Sequence, residues 1–191
     1  MELVGVAGGK GTPEVQEFLS RARRVALVLT DCDGVLTDGG VYYSDQGEAL
    51  RRFSVRDGMG VERLRQAGIA TAFITRERSQ AVARRGVKVG AVGVYAGVMD
   101  KAAELPRLLQ DLALDAGQIA CIGDDVNDLA LIEEVGRRGL TAAPADAMPE
   151  VLTAVQYRCR ACGGHGAFRE FAEWILQLRG AGSEESERRP E

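Results

Sequence analysis

The sequence predicts an α/β protein built on a parallel sheet, and three observations support that prediction. Short apolar runs alternate along the chain with helix-like segments, the pattern of strand–helix–strand units. The runs are continuously apolar, as buried strands of a parallel sheet are. Two of them, which end at Asp31 and Gly123, pass directly into acidic residues and glycine. Because ligands of open α/β sheets bind beyond the carboxyl ends of strands, we expect a site at that edge.

The elements can be assigned in order from these runs and from capping residues. Thr12, followed by Pro13, is typical of a helix start, and a strand follows that ends at Asp31. Residues 41–54 predict two short strands around a turn at 44–47, a hairpin beside the expected site. The next predicted elements are a helix at 58–66 stopped by Gly68, a strand at 69–75, a helix at 78–85, a strand at 91–95, a helix at 101–114, a strand at 118–123, a helix at 125–135, a short segment at 140–142 and a last helix at 167–178.

Size and charge limit the functions that this chain can have. Its 191 residues and 20.5 kDa fit one domain, and a hydrophobic content of 46% supplies a core without disulfides or a structural metal. A net charge of -4 gives no electrostatic reason to expect nucleic acid as a partner. No apolar run reaches the roughly 18 residues of a membrane span, and the N-terminus lacks a signal-peptide pattern, so we expect a cytoplasmic protein.

We expect three segments along the chain. Residues 1–24 form an N-terminal segment and helix, residues 25–180 form the main domain, and the polar residues 181–191 form a disordered tail.

Asp31 and Asp33 are the strongest candidate functional residues. Side chains two apart on an extended segment point to the same side, so these carboxylates lie together at the end of a buried strand. A divalent cation would relieve their mutual repulsion. An Asp-x-Asp pair alone is a moderate signal, because many surface turns contain one.

Three further clusters also follow strands. Thr75 offers a hydroxyl that can bind a phosphate oxygen, and Lys101 begins a helix, although threonine is common in strands and such a lysine is usually solvated. The run from Asp124 through Asp125 to Asp128 places three carboxylates at a strand-to-helix turn. Helix capping by aspartate explains one of them but not three, so this cluster is the second strong signal.

In chain order the clusters are Asp-x-Asp, Thr, Lys and Gly-Asp-Asp-x-x-Asp, which resembles the haloacid-dehalogenase (HAD) superfamily of phosphohydrolases. Over residues 25–178 the chain further resembles the 3-deoxy-D-manno-octulosonate 8-phosphate (KDO 8-phosphate) phosphatase family. The motifs that carry this resemblance are those at 31–39, 53–60, 123–128 and 163–170. It implies a Rossmann-like HAD fold without a large cap domain, Mg²⁺ as cofactor and a phosphorylated sugar acid of lipopolysaccharide biosynthesis as substrate. It also implies a homotetramer in which the hairpin packs between subunits.

The resemblance assigns roles to five of the residues already singled out. Asp31 would attack phosphorus and form an aspartyl-phosphate, and Asp33 would protonate the leaving group and later accept a proton from water. The carboxylates of Asp31 and Asp124, with the backbone carbonyl of Asp33, would hold Mg²⁺. Thr75 and Lys101 would balance charge on the phosphoryl oxygens.

Other residues receive supporting or substrate-binding roles by the same resemblance. Asp128 would orient Lys101, and Asp125 would support the metal site. The expected substrate contacts are Asp33, Ser54, Val55, Arg56, Asp57, Gly58, Arg85 and Lys101. Without the resemblance, Arg56 and Arg85 are as readily explained as ordinary surface cations.

Two features depart from the family pattern or lie outside it. Where the family usually has Thr-Gly-Arg, this chain has Thr75-Arg76-Glu77, and Glu62 stands where relatives can carry a basic residue. A carboxylate near an anionic substrate repels it unless paired, so these positions bear on specificity. The pair Cys159 and Cys162, followed by His165, has the spacing of a metal or redox motif but lacks the fourth ligand of a tetrahedral zinc site.

Alternative functions follow from the same residues. A related phosphatase would hydrolyse a nine-carbon, sialic-acid-type sugar-acid 9-phosphate. A receiver-like phosphoacceptor module also combines acids, Mg²⁺ and a lysine, but its lysine follows all its acids, whereas Lys101 precedes Asp124. A catalytically impaired homologue that acts as a regulatory subunit is the third alternative.

Overall fold

The computed structural model describes residues 12–187, which form a central sheet with helices on both faces. In chain order the elements are α1 (Pro13–Arg24), β1 (Leu27–Thr30), β2 (Tyr42–Ser44), β3 (Gly47–Leu50), α2 (Val55–Gln66), β4 (Ala70–Thr75), α3 (Gln80–Val89), β5 (Gly93–Ala96), α4 (Lys101–Asp111), β6 (Ile119–Ile122), α5 (Leu129–Gly136), β7 (Leu140–Ala143), α6 (Pro149–Ala154), β8 (Tyr157–Arg158) and α7 (Ala167–Glu187). Short 3₁₀ helices lie at Ala116–Gln118 and Val126–Asp128.

The main sheet has six parallel strands in the order β5-β4-β1-β6-β7-β8. The chain first builds outward from β1 through β4 to β5, then crosses to the other side of β1 with β6. Leu27 of β1 therefore lies opposite both Ala70 and Ile119. Such a reversal of strand order opens a crevice at the carboxyl ends of the two strands involved. The predicted α/β class with a parallel sheet is confirmed, as is the hairpin of β2 and β3.

Alternate side chains of β1 enter two cores on opposite faces of the sheet. Val28 packs in the core that α1, α2 and α7 cover. Leu27 and Leu29 point into the other, which α4, α5 and α6 cover. All three are fully buried, so β1 is fixed on both faces and the residues that follow it start from a rigid position.

Local capping explains several of the predicted boundaries. The Thr12 hydroxyl accepts a hydrogen bond from Val15 N, and Pro13 is the first residue of α1, as expected. Gly68, with φ of +76°, follows α2 in the left-handed conformation that glycine adopts readily.

Other boundaries differ from the sequence-based expectation. Helix α2 begins at Val55 rather than Gly58, because the Ser54 hydroxyl caps it by accepting from Arg56 N. Helix α5 begins at Leu129 rather than at 125, because the preceding residues form a 3₁₀ turn. Strand β8 was not predicted, being only two residues long.

The last helix is longer than expected. Helix α7 continues to Glu187, beyond the predicted end at Leu178, so the segment 181–191 expected to be disordered overlaps it, and 188–191 lie outside the described residues. Glutamate has a high helix propensity, which is compatible with this extension. None of the helices within residues 12–187 combines the length and apolar character needed to cross a bilayer.

Candidate active site

The crevice at the carboxyl edge of the sheet holds a cavity of about 330 Å³. Asp31 directly follows β1, and Asp124 follows the neighbouring strand β6 after one glycine. The cavity is lined by Asp31, Asp33, Thr75, Arg76, Glu77, Met99, Asp124, Asp125 and Asn127. Predicted residues from three separate segments of the chain therefore meet here, as the parallel strands require.

Lys101 is buried against two of the aspartates. Its side chain is fully buried, and its Nζ donates to Asp31 Oδ1 over 2.7 Å and to Asp128 Oδ1 over 2.6 Å. The other oxygen of Asp128, Oδ2, accepts from the backbone N–H of Asp124 over 3.1 Å. We call Asp31, Lys101, Asp124 and Asp128 the acid–lysine cluster. In it, Asp128 holds both the lysine and the backbone of Asp124 in place.

The oxygen atoms of this cluster fit a divalent cation. Carboxylate oxygens of Asp31, Asp124 and Asp128 lie within 4.8 Å of one another. Asp124 Oδ1 is buried without a hydrogen-bond partner, whereas both oxygens of Asp128 are already engaged. A set of hard carboxylate oxygens suits Mg²⁺. The carboxylates with capacity to bind an ion are therefore those of Asp31 and Asp124, whereas Asp33, the third residue of the expected set, is not part of this group.

Burial and mutual repulsion change the proton affinities of the cluster. Burial raises the pKa of Asp31 to about 7, with the charge of Asp128 adding to it and Lys101 opposing it. Burial, followed by the charges of Asp31 and Asp128, raises the pKa of Asp124 to about 8. Burial alone would lower the pKa of Lys101, but the two carboxylates beside it raise it overall. The lysine thus stays charged, while Asp31 and Asp124 favour a bound proton or cation.

Three glycines allow the loops of the site to approach closely. Gly34 has φ of +87°, and a methyl group there would overlap Asp124 Oδ2. Gly163 and Gly164 lie against the backbone of Gly34 and Thr37, where a methyl group on Gly163 would overlap the Gly34 carbonyl oxygen. The loop after β1 is therefore packed between β6 and the loop before α7.

Asp33 is paired with a residue that the sequence-based analysis did not single out as functional. Arg51, which follows β3, donates to Asp33 Oδ1 and also pairs with Glu48. No sequence pattern placed Arg51 beside Asp33, because its hairpin shares no edge with the main sheet. Arg76, Met99 and Asn127 line the cavity without having been predicted.

Thr75 and its neighbours form another wall of the cavity. Thr75 ends β4 and is 1% exposed, and its Oγ1 accepts from the backbone N–H of Glu77 over 3.2 Å. Glu77 is exposed and lines the cavity, so the residue that departs from the family pattern lies at the site. Asp125 also lines it and accepts from Val126 N over 2.6 Å.

The expected substrate loop does not line this cavity. The residues concerned are Ser54, Val55, Arg56, Asp57, Gly58 and Arg85. Arg85 donates to the Ser54 carbonyl oxygen over 2.8 Å and lies over the Phe53 ring at 5.6 Å. Asp57 is 1% exposed and accepts from Arg169 N over 3.0 Å, which ties α2 to α7. Arg56 is exposed.

The cysteine pair lies apart from the site. Cys159 is buried and donates to the Ala167 carbonyl oxygen over 3.4 Å, whereas Cys162 is exposed, and both are free. Burial raises the pKa of the Cys159 thiol, which disfavours the reactive thiolate. In residues 12–187, only Asp31, Asp124 and Asp128 are grouped to hold one ion.

Comparisons with known proteins agree with this geometry. A family model described as haloacid dehalogenase-like hydrolase matches residues 74–163. The KDO 8-phosphate phosphatase of Yersinia pestis is 38% identical over 164 residues, which is 86% of either chain. The Escherichia coli protein of the same name is 34% identical over 168 residues, or 88% of either chain.

Solved structures show the same relationship. The cobalt-bound form of the Haemophilus influenzae phosphatase has a TM-score of 0.79 and 37% identity, and the match covers 85% of this chain and 94% of that one. The Moraxella catarrhalis phosphatase, in complex with a magnesium ion, a phosphate ion and KDO, has a TM-score of 0.81 and 31% identity, with 90% and 97% covered.

At this identity and coverage, and with an acid–lysine cluster at the carboxyl edge of a parallel sheet, the chain is a phosphoric monoester hydrolase that belongs to the KDO 8-phosphate phosphatase family of HAD-like hydrolases.

Proposed function

We propose that this enzyme hydrolyses KDO 8-phosphate to KDO and phosphate, with Mg²⁺ as cofactor and Asp31 as nucleophile. The observation that carries the proposal is the buried Lys101 ammonium, which is held between Asp31 and Asp128. A cation fixed there stabilises charge on a phosphoryl group next to the attacking carboxylate. The relatives from Yersinia pestis and Moraxella catarrhalis supply the substrate class.

The reaction proceeds in two steps. Asp31 forms a bond to phosphorus while the bond to the leaving oxygen breaks, and Asp33 gives that oxygen a proton. Asp33 then takes a proton from the water that attacks the aspartyl-phosphate, which releases phosphate and restores Asp31.

The remaining groups orient the phosphoryl group and balance its charge. The Asp31 and Asp124 side chains and the Asp33 carbonyl would hold Mg²⁺, which supplies charge neutralisation for the transferring phosphoryl group when bound. The Thr75 hydroxyl donates a hydrogen bond to one phosphoryl oxygen, and the Lys101 ammonium neutralises charge on another. Asp125 lies at the rim as a support of the metal site.

We also propose a homotetramer, assembled through the hairpin. Tyr42, Tyr43 and Leu50 of β2 and β3 are 60%, 76% and 66% exposed, an apolar surface that a second copy would cover. Six of the expected substrate contacts lie outside the cavity of a single chain: Ser54, Val55, Arg56, Asp57, Gly58 and Arg85. We expect that a neighbouring subunit, by covering the cavity, brings the corresponding residues into contact with the substrate. Light scattering should then give four times the 20.5-kDa mass of the chain, and Tyr43→Ser should reduce it.

A nine-carbon sugar-acid 9-phosphate is the second candidate substrate, and Glu77 is the residue that bears on the choice between the two. Glu77 lines the cavity where relatives of the family usually carry arginine, so the pocket offers a carboxylate in place of a cation. In that case Glu77→Arg should lower KM for KDO 8-phosphate. An unchanged KM would place Glu77 outside the substrate contacts.

Phosphate release from a substrate panel tests the proposal. The panel contains KDO 8-phosphate and nine-carbon sugar-acid 9-phosphates, each with Mg²⁺ and with EDTA, and Asp31→Asn serves as the inactive control. Mg²⁺-dependent preference for KDO 8-phosphate supports the proposal. Preference for a 9-phosphate would identify that ester as the substrate instead. Absence of turnover on every ester would favour the impaired homologue.

A further inference from the structure

One side chain joins the hairpin to the candidate active site. Arg51 directly follows β3, and its guanidinium donates to Asp33 Oδ1. The Arg51 side chain is only 2% exposed, although most of the hairpin is open to solvent. Burial of a cation costs free energy unless its donors are paired. The hydrogen-bond partners of Arg51 therefore indicate its role.

These partners form a chain of four side chains, which we call the hairpin relay: Ser79, Glu48, Arg51 and Asp33. Arg51 Nε and Nη2 donate to the two oxygens of Glu48 over 2.9 and 2.8 Å, a two-point contact that fixes the guanidinium plane. Ser79 Oγ donates to Glu48 Oε1 over 2.8 Å. Ser79 precedes α3, where serine is a favoured cap, yet its side chain makes no capping bond. Its hydroxyl holds Glu48 instead.

The two oxygens of Asp33 have different surroundings. Oδ1 accepts from Arg51 and lies 3.5 Å from Thr37 Oγ1. Oδ2 is buried and has no hydrogen-bond partner. A buried oxygen of this kind costs free energy, and such groups are found where a ligand or a reaction uses them. Asp33 lines the cavity and its Oδ1 is already engaged, so Oδ2 is the oxygen with unused hydrogen-bonding capacity.

We propose that Arg51 is a positioning residue for ester cleavage: held by Glu48, it fixes Asp33 Oδ1 and leaves Oδ2 to face the leaving group. This inference rests on the proposed function, in which Asp33 is the proton donor. As Asp31 bonds to phosphorus, the bond from phosphorus to the leaving oxygen breaks and that oxygen keeps the electron pair. The proton on Asp33 Oδ2 moves to the same oxygen.

Dependence on the leaving group tests this positioning role. Aryl phosphates from phenyl to p-nitrophenyl are similar in size but differ in leaving-group basicity, and kcat/KM covers only the steps through phosphoryl transfer to Asp31. We expect Arg51→Met to lower kcat/KM about 100-fold for phenyl phosphate but only about threefold or less for p-nitrophenyl phosphate, which needs little proton donation. The plot of log kcat/KM against leaving-group pKa therefore becomes steeper.

Conservative and neighbouring variants complete the series. Arg51→Lys should recover part of the phenyl phosphate rate, because lysine can donate to Asp33 but cannot bind both Glu48 oxygens in one plane. Glu48→Gln should steepen the plot less than Arg51→Met. Arg52→Met is the matched control with an unchanged slope, since the Arg52 side chain is 47% exposed and pairs with Asp38.

Folding of each variant is followed by the fluorescence of Trp174, the single tryptophan of the chain. Trp174 is 8% exposed and stacks on Tyr157 with ring centroids 4.6 Å apart, so unfolding changes its surroundings. If Arg51→Met does not fold, Arg51→Lys and Glu48→Gln decide the question.

Asp33→Asn separates this inference from the proposed function. A steep plot for Asp33→Asn together with a wild-type slope for the Arg51 and Glu48 variants overturns the role of Arg51 and leaves Asp33 as proton donor. A wild-type slope for Asp33→Asn overturns the proton-donor role and the inference with it. Equal losses on all esters in Arg51→Met indicate a purely structural contact and also overturn the inference.

Discussion

The acid–lysine cluster and the hairpin relay each hold carboxylates that we propose to be catalytic, but water reaches these carboxylates to different degrees. The side chains of Lys101 and Asp128 are 0% and 2% exposed, and that of Asp31 is 7% exposed. Asp33 and Glu48 of the relay are 26% and 27% exposed, although the Arg51 side chain between them is 2% exposed. Interactions between charges weaken where solvent reaches them. Loss of the cation from the cluster should therefore affect both stability and rate, and changes to the two carboxylates of the relay mainly the rate.

The difference follows from how each group is attached to the fold. Asp31 and Asp124 follow adjacent parallel strands in a fixed register, with Thr30 opposite Ile122. The hairpin pairs only with itself, and the relay is what connects it to Asp33. The sheet thus fixes the proposed nucleophile Asp31 and the proposed metal ligand Asp124, while a separate two-stranded element contacts the proposed proton donor Asp33.

The largest effect should come from Asp31→Asn. Loss of the nucleophile should lower kcat by about 10⁴-fold or more, while the fold persists because the amide removes a charge from a repulsive cluster. Phosphate release and thermal unfolding measure the two effects. Asp111→Asn, at an exposed position on α4, is the control with unchanged activity. Substantial turnover by Asp31→Asn would refute the nucleophilic role.

Lys101→Met should lower both activity and stability. It leaves Asp31 and Asp128 buried without their cation, at a cost of about 3–5 kcal/mol in the free energy of unfolding. The double variant Lys101→Met/Asp128→Asn should regain part of that stability without regaining activity. Urea unfolding measures the stabilities. If Lys101→Met is as stable as wild type, the charges of the acid–lysine cluster do not interact more strongly than those of the hairpin relay.

Gly34→Ala tests how closely the loop after β1 must approach Asp124, the proposed metal ligand. Its methyl group overlaps Asp124 Oδ2, so we expect weaker Mg²⁺ binding in addition to about 1–2 kcal/mol of strain from the positive φ. Gly68→Ala is the matched control, with φ of +76° and no atom within 4 Å of the added group. Titration calorimetry compares the Mg²⁺ affinities of the two variants, and urea unfolding compares their stabilities. Equal Mg²⁺ affinity in the two variants would contradict the expectation.

The stability of the metal-free protein should also depend on pH. With the pKa of Asp31 raised to about 7 and that of Asp124 to about 8, the folded state holds protons that the unfolded chain releases near pH 4. The free energy of unfolding in EDTA should therefore fall as pH rises from about 4 to 8. Mg²⁺ should raise Tm more at about pH 8 than at about pH 6, because it displaces fewer protons there. A Mg²⁺ effect independent of pH would argue against this site.

The sequence was informative where the fold is regular. Continuous apolar runs that end in Asp31 and Asp124 predicted both the parallel sheet and the meeting of the two carboxylates, since strand ends share one edge. Lys101 and Thr75 were predicted to belong to the same site because the order of the four clusters along the chain resembles that of the HAD superfamily. Arg51 and Glu48 escaped prediction because antiparallel hairpins have no such shared edge. The cap by Ser54 was also missed, so α2 was expected to begin at Gly58.

The close packing of Gly163 against Gly34 has a consequence for synthesis of the chain. A domain of this kind emerges from the ribosome from its N-terminus at about 5–20 residues per second, so the loop after β1 is exposed on the order of ten seconds before Gly163 appears. A nascent chain that stalls before Gly163 carries every aspartate of the site and Lys101, but nothing yet closes the loop. We therefore expect the loop after β1 to close only in the final stage of synthesis, together with the docking of α7 on the core.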